Sequence, residues 1–372
     1  MSTSRRNLLL VDTSPIGRRG SMNRYADLVH RAVAPMWPGW AVERIRLAMP
    51  HAALRRFGPR LGTWLQHGWL LTTAGARLRR RRAALYHVLD GSHAYVAAGL
   101  LADRCVVTCH DLIPLLQSVG RLPGQPGRMA GRVIRSSRDV QRAACRVVAD
   151  SENTRCDLIA SAGCDPARVR LVPLGLEAGI PPSKPSATEP GQPGLDPYIL
   201  HVGNDAPYKN RAGVVRVFAA VCARAQVRLV IAGPPSGRAV AVLAARLGVA
   251  DRIAEVGEVP DDTLWRLYSE AALLLFPSLY EGFGWPVLEA MACGCPVVCS
   301  NAASLPEVAG DAALTAPAED EELLARHCTN VLADMRLASD LRERGRQRAA
   351  TFTVERMAQG LMSAYREVVA GI

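Results

Sequence analysis

The sequence predicts an α/β protein of two domains, each built around a parallel sheet. Short apolar runs recur along the chain and alternate with longer helical patterns, as they do in βαβ units. A segment rich in Pro, Gly and Ser, Ala178–Asp196, lies near the middle of the 372 residues. At 49% hydrophobic residues, the chain on either side is long enough to bury a core of its own. We therefore expect domains at 1–178 and 197–353, a linker at 179–196, and a final helix, 354–372, that returns to the first domain.

Five apolar runs in the first half have the length and composition of buried strands. They are Asn7–Asp12, Ala84–Leu89, Cys105–Cys109, Arg146–Asp150 and Val169–Pro173. Polar residues follow two of these strands, Asp90 to His93 after one and His110 with Asp111 after another. Since ligands gather past the carboxyl ends of parallel strands, these residues are candidates for a site.

The second half repeats the pattern with five more predicted strands. They are Tyr198–Val202, Val227–Gly233, Ile253–Gly257, Ala272–Phe276 and Pro296–Ser300. The first is followed by a loop that carries Lys209, one of only two lysines in a chain that otherwise uses arginine. A lysine on a loop ahead of a helix can neutralise a diphosphate as a point charge, and a solvated surface lysine is the plainer alternative.

The stretch from Ala271 to Ser300 reads as a strand, a glycine-containing loop, a helix that starts near Pro286, and a second strand. Gly282 and Gly284 allow the backbone to approach a ligand closely, and the free N–H groups at the helix start suit a phosphate. Glu281 and Glu289 can face the same crevice. Two carboxylates beside a phosphate site make sense where they accept hydrogen bonds from hydroxyls, and a sugar nucleotide offers both groups.

Glu281 and Glu289, with seven residues between them in EGFGWPVLEAMACGCPVV, resemble the signature of retaining glycosyltransferases of the GT-B fold, in the large family that includes bacterial mannosyltransferases. The resemblance implies two Rossmann-like domains that face each other across a cleft. It also implies that Glu281 contacts the hydroxyls of the donor sugar and Glu289 the ribose of the nucleotide.

Further site residues follow from the same resemblance. VVTCHDLIP resembles the family's His-Asp segment and places His110 near the reacting carbon, so the catalytic residues are predicted to be His110, Lys209 and Glu281. The donor-binding residues are predicted to be Gly20, Ser21, Asn204, Lys209, Gly282, Phe283, Gly284 and Glu289. His93 and Asp90 are candidates on the acceptor side.

Asn204 departs from the family pattern, which often has a basic residue there, and Arg211 is a candidate substitute for the missing charge.

The implied reaction moves a sugar from a nucleoside diphosphate sugar to a hydroxyl of a glycan or a lipid-linked acceptor, with retention and without a metal or cofactor. DGSHAY and HDLIPL resemble mannosyltransferases of polysaccharide assembly, which favours GDP-mannose as the donor. A GT-B-like phosphorylase or epimerase and a non-catalytic sugar-nucleotide-binding protein are the alternatives. The two glutamates count against the first, and the retained His110 and Lys209 count against the second.

Charge is divided unevenly between the two halves. Residues 1–185 hold 28 basic and 12 acidic residues, whereas the remainder holds 17 and 22. Residues 51–85 interleave arginines with Phe57, Trp64 and Trp69 and contain no acidic residue. This composition indicates contact with an anionic membrane surface, and the alternative is a solvated helix pair with core tryptophans. Nucleic acid is not predicted as a partner, because no nucleic-acid-binding motif accompanies the charge.

A second arginine run, between Arg121 and Arg146, has helical spacing in its later part. It suggests either a solvated helix face or a site for an acceptor phosphate.

The N-terminal apolar run is too short for a signal peptide, and no run reaches the roughly 18 residues of a membrane span. We expect a cytoplasmic protein that can associate peripherally with the inner face of the cell membrane. The ten cysteines lack framework spacing and are expected to be reduced and buried. No metal site is expected at Cys293, Cys295 and Cys299, which fall at a helix end and in a strand with no histidine nearby.

Overall fold

The computed structural model describes residues 6–16, 20–100, 102–126, 130–177 and 197–371, with only the backbone described at Arg55, Pro59 and Arg60. The predicted linker at 179–196, and Arg128 of the second arginine run, lie outside these residues. The chain divides into two compact units. The first unit comprises Met1–Gly175 with Val354–Ile372, and the second comprises Leu176–Thr353.

Each unit contains a six-stranded sheet in which every strand pair is parallel, which confirms the predicted fold class. The strands of the first unit are β1 Asn7–Asp12, β2 Ala41–Arg46, β3 Leu85–Val88, β4 Cys105–Cys109, β5 Arg146–Ala149 and β6 Val169–Leu171. Their order in the sheet is β2-β1-β3-β4-β5-β6. The direction of strand succession reverses between β1 and β3, so the loops after these two strands flank the switch point, where open α/β sheets bind ligands.

The helices of the first unit cover its sheet and, between β2 and β3, form a separate helical segment. They are α1 Ser21–Val33, α2 His51–Arg55, α3 Gly58–Trp69, α4 Gly75–Arg79, α5 Ile113–Ser118, α6 Ala130–Ala143 and α7 Glu152–Asp157. A π-helical turn, Leu70–Ala74, joins α3 to α4, and a 3₁₀ segment, Gly91–Ala97, follows β3. Ser151 caps α7 as predicted, because its side chain accepts from the backbone N–H of Thr154.

The second sheet has strands β7 Tyr198–Val202, β8 Arg228–Ala232, β9 Ile253–Gly257, β10 Leu273–Phe276, β11 Val297–Ser300 and β12 Leu314–Ala316. The order is β12-β11-β10-β7-β8-β9, so the switch point of this sheet lies between β7 and β10. Its helices are α8 Arg211–Cys222, α9 Arg238–Arg246, α10 Asp261–Glu270, α11 Trp285–Ala292, α12 Leu305–Ala309, α13 Glu321–Ala333 and α14 Met335–Ala349. Buried side chains of β7, β8, β10, α8 and α13 form one continuous hydrophobic core.

The last helix, α15 Val354–Ala370, packs on the first unit. The Tyr365 ring stacks on Trp37 with centroids 5.7 Å apart, and its hydroxyl is 2.6 Å from Nδ1 of His87. Glu367 accepts from Arg146 at 2.7 Å and from Arg170 at 3.0 Å. Apolar packing and ion pairs together hold this C-terminal segment against β3, β5 and β6.

The expectation that all ten cysteines are buried is wrong in part, and the alternative of core tryptophans between residues 51 and 85 does not hold for Trp64. Trp64 does not belong to the core, because half of its surface is exposed. All ten cysteines are free, as expected, but Cys156 is exposed while Cys145 and Cys222 are half-buried. No helix among the described residues combines the length and the apolar character needed to cross a bilayer.

Candidate functional site

In the second unit, the loops that follow β7 and β10 are bonded to each other at the switch point. The backbone N–H of Leu279 donates to the carbonyl of Tyr208 at 2.7 Å, and the side-chain amide of Asn210 donates to the carbonyl of Pro277 at 3.1 Å. Asn210 adopts a left-handed conformation, φ 55°, and caps α8 by accepting from Gly213 N–H. The loop that carries Lys209 is therefore fixed against the loop that carries Glu281.

Lys209 and Glu281 form a close ion pair. The Lys209 ammonium donates to both carboxylate oxygens of Glu281, at 2.7 and 2.9 Å. The side chains are only 13% and 9% exposed, and the ammonium also lies 5.1 Å from the centroid of the Phe276 ring. The positive charge of Lys209 compensates the negative charge of Glu281. A carboxylate can therefore lie beside a site for an anionic ligand.

The loop after Glu281 is held by its backbone. Ser304 Oγ donates to the carbonyl of Glu281 at 2.9 Å. Gly284 caps α11 with φ 104°, a backbone conformation that favours glycine, and a Cβ there would also displace the end of the Leu305 side chain, 2.8 Å away. The Phe283 ring is buried against Phe352, with centroids 5.8 Å apart. Any contact from this loop to a ligand would thus come from the backbone of Gly282, Phe283 and Gly284.

Glu289 lies inside α11 and is 2% exposed. Tyr268 of α10, itself fully buried, donates its hydroxyl to Glu289 Oε2 at 2.9 Å. This bond fixes the orientation of the carboxylate. Tyr268 was not predicted from the sequence, where the pattern of its segment marks it only as a core residue.

Arg211 does not replace the basic residue that the family often has at Asn204. Its side chain is 1% exposed and is used structurally, donating to the carbonyl of Gly203 at 2.7 Å and to Ser236 Oγ at 3.0 Å. Asn204 itself is exposed, and its side-chain oxygen accepts from Ala206 N–H in a tight turn. Lys209 is therefore the one cationic side chain that the described structure places beside Glu281.

In the first unit, His110 uses both of its ring nitrogens. Nδ1 lies 2.9 Å from Asp150 Oδ2, and Nε2 lies 3.0 Å from the carbonyl of Leu89. Because a carbonyl can only accept, Nε2 carries a proton, and a second proton is shared between Nδ1 and Asp150. Burial raises the pKa of Asp150 to about 6, and the Asp150 hydrogen bond and charge raise the pKa of His110 against the effect of its own burial. His110 can contact a sugar through Nε2 only if it releases Leu89.

The residues predicted on the acceptor side meet at the switch point of the first sheet. Asp90 Oδ2 lies 2.9 Å from His93 Nδ1, which is also 3.1 Å from Thr13 Oγ1 in the loop after β1. Asp90 Oδ1 accepts from the backbone N–H of Ser92 at 2.9 Å. The Asp90 charge raises the pKa of His93, although burial acts in the opposite direction. Asp90, His93 and Thr13 form what we call the acceptor cluster.

Two residues of α3 join this cluster and were not predicted from the sequence. His67 Nδ1 lies 2.8 Å from the hydroxyl of Tyr95, and the rings of His67 and His93 are 5.4 Å apart. The Gln66 amide donates to the carbonyl of Thr13 at 3.4 Å. Burial lowers the pKa of His67 to about 4, so this imidazole is neutral at neutral pH.

Gly20 caps α1 with φ 148°, and Ser21 is the first residue of that helix. Their predicted contact with a donor phosphate remains a prediction. Gly17, three residues before Gly20 in the sequence, lies outside the described residues. Among the described residues, no three His, Cys, Asp or Glu side chains are arranged to hold a metal ion.

Comparison with known proteins gives two family matches that together span most of the chain. Residues 28–178 match the family described as glycosyltransferase family 4, and residues 186–348 match the one described as glycosyl transferases group 1. O-antigen chain mannosyltransferase B of Escherichia coli is 30% identical over 324 residues, which cover 82% of this chain and 83% of that relative. The D-inositol 3-phosphate glycosyltransferase of Salinispora arenicola is 30% identical over 331 residues, covering 80% of this chain and 73% of the relative.

Among solved structures, sucrose-phosphate synthase from Thermosynechococcus elongatus matches with a TM-score of 0.79. The match covers 99% of this chain and 100% of that one at 22% identity, which shows a shared fold.

Proposed function

Because the chain belongs to the family 4 glycosyltransferases, we propose that it moves a sugar from a nucleoside diphosphate sugar to a hydroxyl of a glycan or lipid-linked acceptor, with retention of the anomeric configuration. The GT-B fold is shared with the structural relatives. The observation that carries the proposal is the Lys209–Glu281 pair at the switch point of the second sheet. The Lys209 ammonium can bind the negative diphosphate, and the Glu281 carboxylate can accept hydrogen bonds from sugar hydroxyls.

In the proposed reaction, the acceptor oxygen forms a bond to the anomeric carbon while the bond from that carbon to the diphosphate oxygen breaks. The acceptor proton passes to the leaving diphosphate. Lys209 and the N–H groups at the start of α11 stabilise the charge that develops on the leaving group. No metal is assigned to this step, and no covalent intermediate is formed on a side chain. Glu281 orients the sugar through its hydroxyls, and Glu289, held by Tyr268, binds the ribose.

We assign mannose as the transferred sugar and GDP-mannose as the donor. This choice is supported by the relative described as O-antigen chain mannosyltransferase B and by the segments DGSHAY and HDLIPL. The donor would bind to the second unit. The acceptor would bind to the first unit at the acceptor cluster, in cell-surface polysaccharide or glycolipid assembly. The basic character of residues 51–85 supports a peripheral association with an anionic membrane surface.

The purified protein can be tested with GDP-, UDP- and ADP-linked sugars and octyl α-mannoside as the acceptor, with release of the nucleoside diphosphate and glycoside formation as readouts. We expect turnover of GDP-mannose and, by proton NMR of the product, an α-linked mannose. A β-linked product would contradict retention, and turnover of another sugar nucleotide alone would contradict the assigned donor. Binding of sugar nucleotides without any transfer or hydrolysis would instead indicate a non-catalytic protein.

A further inference from the structure

The outward face of α3 carries a stripe of large apolar side chains. Phe57, Leu61, Trp64 and Leu71 are each 50% to 54% exposed. Leu61 and Trp64 are three residues apart and lie on one side of α3, Phe57 is the residue just before the helix, and Leu71 lies in the π-helical turn after it. Near this stripe Ile16 is also exposed, and its backbone bonds to that of Met49 and of His51, the first residue of α2. We call these four residues the apolar stripe.

Arginines follow the apolar stripe in the sequence. The side chains of Arg77, Arg79, Arg80, Arg81 and Arg82 are exposed, and Arg56 is exposed at the other end of the stripe. No acidic residue occurs between Glu43 and Asp90, and in the described part of the chain none of these arginines has a carboxylate partner. The guanidinium of Arg77 lies 5.9 Å from the centroid of the Trp69 ring. Exposed apolar side chains flanked by unpaired arginines favour binding at the headgroup region of an anionic bilayer.

The inward face of α3 belongs to the acceptor cluster. Gln66, 6% exposed, donates to the carbonyl of Thr13, and His67 bonds to Tyr95 and lies beside His93. One short helix thus has the apolar stripe on one side and two residues of the candidate acceptor site on the other. The two sets are next to each other in sequence, since Trp64 precedes Gln66 by two residues.

We propose that α3 is a docking helix that inserts the apolar stripe into an anionic membrane surface, and that its inward face forms a wall of the acceptor site. The headgroup of an acceptor anchored in the bilayer would then lie at the same depth as the acceptor site. The second half of this inference rests on the proposed glycosyltransfer, whereas the docking does not. Charge favours a membrane over a second copy of the chain, because a symmetric dimer through this face would bring two arginine clusters together.

Docking can be measured by sedimentation of the full-length protein with phosphatidylcholine vesicles and with vesicles containing phosphatidylglycerol. We expect binding to the anionic vesicles that falls at least tenfold in Leu61→Ser/Trp64→Ser. Met335→Ser is the matched control, because Met335 is 72% exposed on the second unit, and it should bind as the wild type does. Near-UV circular dichroism and thermal unfolding of each variant show that the fold is retained.

Equal sedimentation with both kinds of vesicle, or unchanged binding of the double variant, would overturn the docking proposal. A wild-type dimer in gel filtration that the double variant converts to a monomer would assign the face to a second copy instead.

The wall of the acceptor site is tested by Tyr95→Phe, which removes only the hydroxyl that bonds to His67. We expect KM for octyl α-mannoside to rise severalfold, KM for the donor to stay unchanged and vesicle binding to be retained. An unchanged KM for the acceptor would refute the proposal that the inward face of α3 forms a wall of the acceptor site, and it would leave the docking proposal intact. Absence of any transfer by the wild type would instead count against the proposed function.

Discussion

The ammonium of Lys209 contacts both oxygens of the Glu281 carboxylate, although 72 residues separate the two in sequence. Neither side chain is exposed enough to be screened well by water. Before a donor binds, each group therefore compensates the charge of the other and fills its hydrogen-bonding positions. A nucleoside diphosphate sugar would redistribute these bonds, with its phosphates facing the ammonium and its hydroxyls facing the carboxylate.

Removing one member of this pair should destabilise the protein. Lys209→Met leaves the Glu281 carboxylate buried without its partner, which we expect to lower the free energy of unfolding by about 3 kcal/mol. Lys209→Met/Glu281→Gln removes both charges and should recover at least half of that loss. Urea unfolding of both variants and the wild type measures the difference. A double variant less stable than Lys209→Met would show that the two charges are not coupled.

The carboxylate of Glu281 should be required for transfer. Glu281→Ala is expected to lower the rate of glycoside formation at least about a hundredfold, the range seen when one group that stabilises a transition state is removed. Glu322→Ala, which changes an exposed glutamate of the same unit, is the matched control and should retain wild-type turnover. Wild-type turnover in a folded Glu281→Ala protein would refute the assignment of the site.

Asp150 should set the protonation of His110. Asp150→Asn keeps a hydrogen-bonding partner at Nδ1 but removes the negative charge, so the pKa of His110 should fall by at least about one unit. Histidine nitrogen NMR measures this pKa in both proteins. If His110 acts in its protonated form, the loss of kcat/KM on raising the pH will begin at lower pH in the variant. An unchanged pKa of His110 would show that Asp150 is merely a packing residue.

Acid should destabilise the protein through two buried histidines, one in each unit. Burial lowers the pKa of His87 to about 3 and that of His201 to about 4. Between pH 6.5 and 4 the unfolded chain binds protons at these sites and the folded protein does not, so stability falls as the pH falls. Each histidine contributes roughly 1.4 kcal/mol per pH unit in this window.

The check is the pH dependence of Tm between pH 7 and 5, compared with that of His87→Gln. The variant should lose less stability on acidification than the wild type, because glutamine does not titrate. Parallel curves would show that the pKa of His87 is the same in the folded and the unfolded protein.

Most of the fold could be predicted because its strands are buried on both faces and therefore read as continuous apolar runs. Asn7–Asp12 is observed with the predicted bounds. β2 was not predicted, because its sequence AVERIR mixes apolar and charged residues and it lies at the edge of its sheet. The arginines of β2 pair with a neighbouring strand, since Arg44 and Arg46 donate to the buried carboxylate of Asp12 at 2.6 and 2.9 Å.

Only the site residues that belong to a recognisable sequence motif could be predicted. Glu281 and Lys209 occur in recognisable loops, but their contact depends on which strands are neighbours in the sheet. Asp150, Tyr268 and His67 have no local signal, because each acts through a side chain that is distant in sequence. Arg211 was a candidate from its position in the sequence, but its side chain is buried and bonds to the backbone.

We propose above all that the second unit binds a nucleoside diphosphate sugar through Lys209 and Glu281. Isothermal titration of the wild type with GDP and GDP-mannose, repeated on Lys209→Gln and Glu281→Gln, tests it most directly. We expect Lys209→Gln to weaken binding of both ligands and Glu281→Gln to weaken binding of GDP-mannose more than that of GDP. Equal affinities of all three proteins for both ligands would contradict the claim.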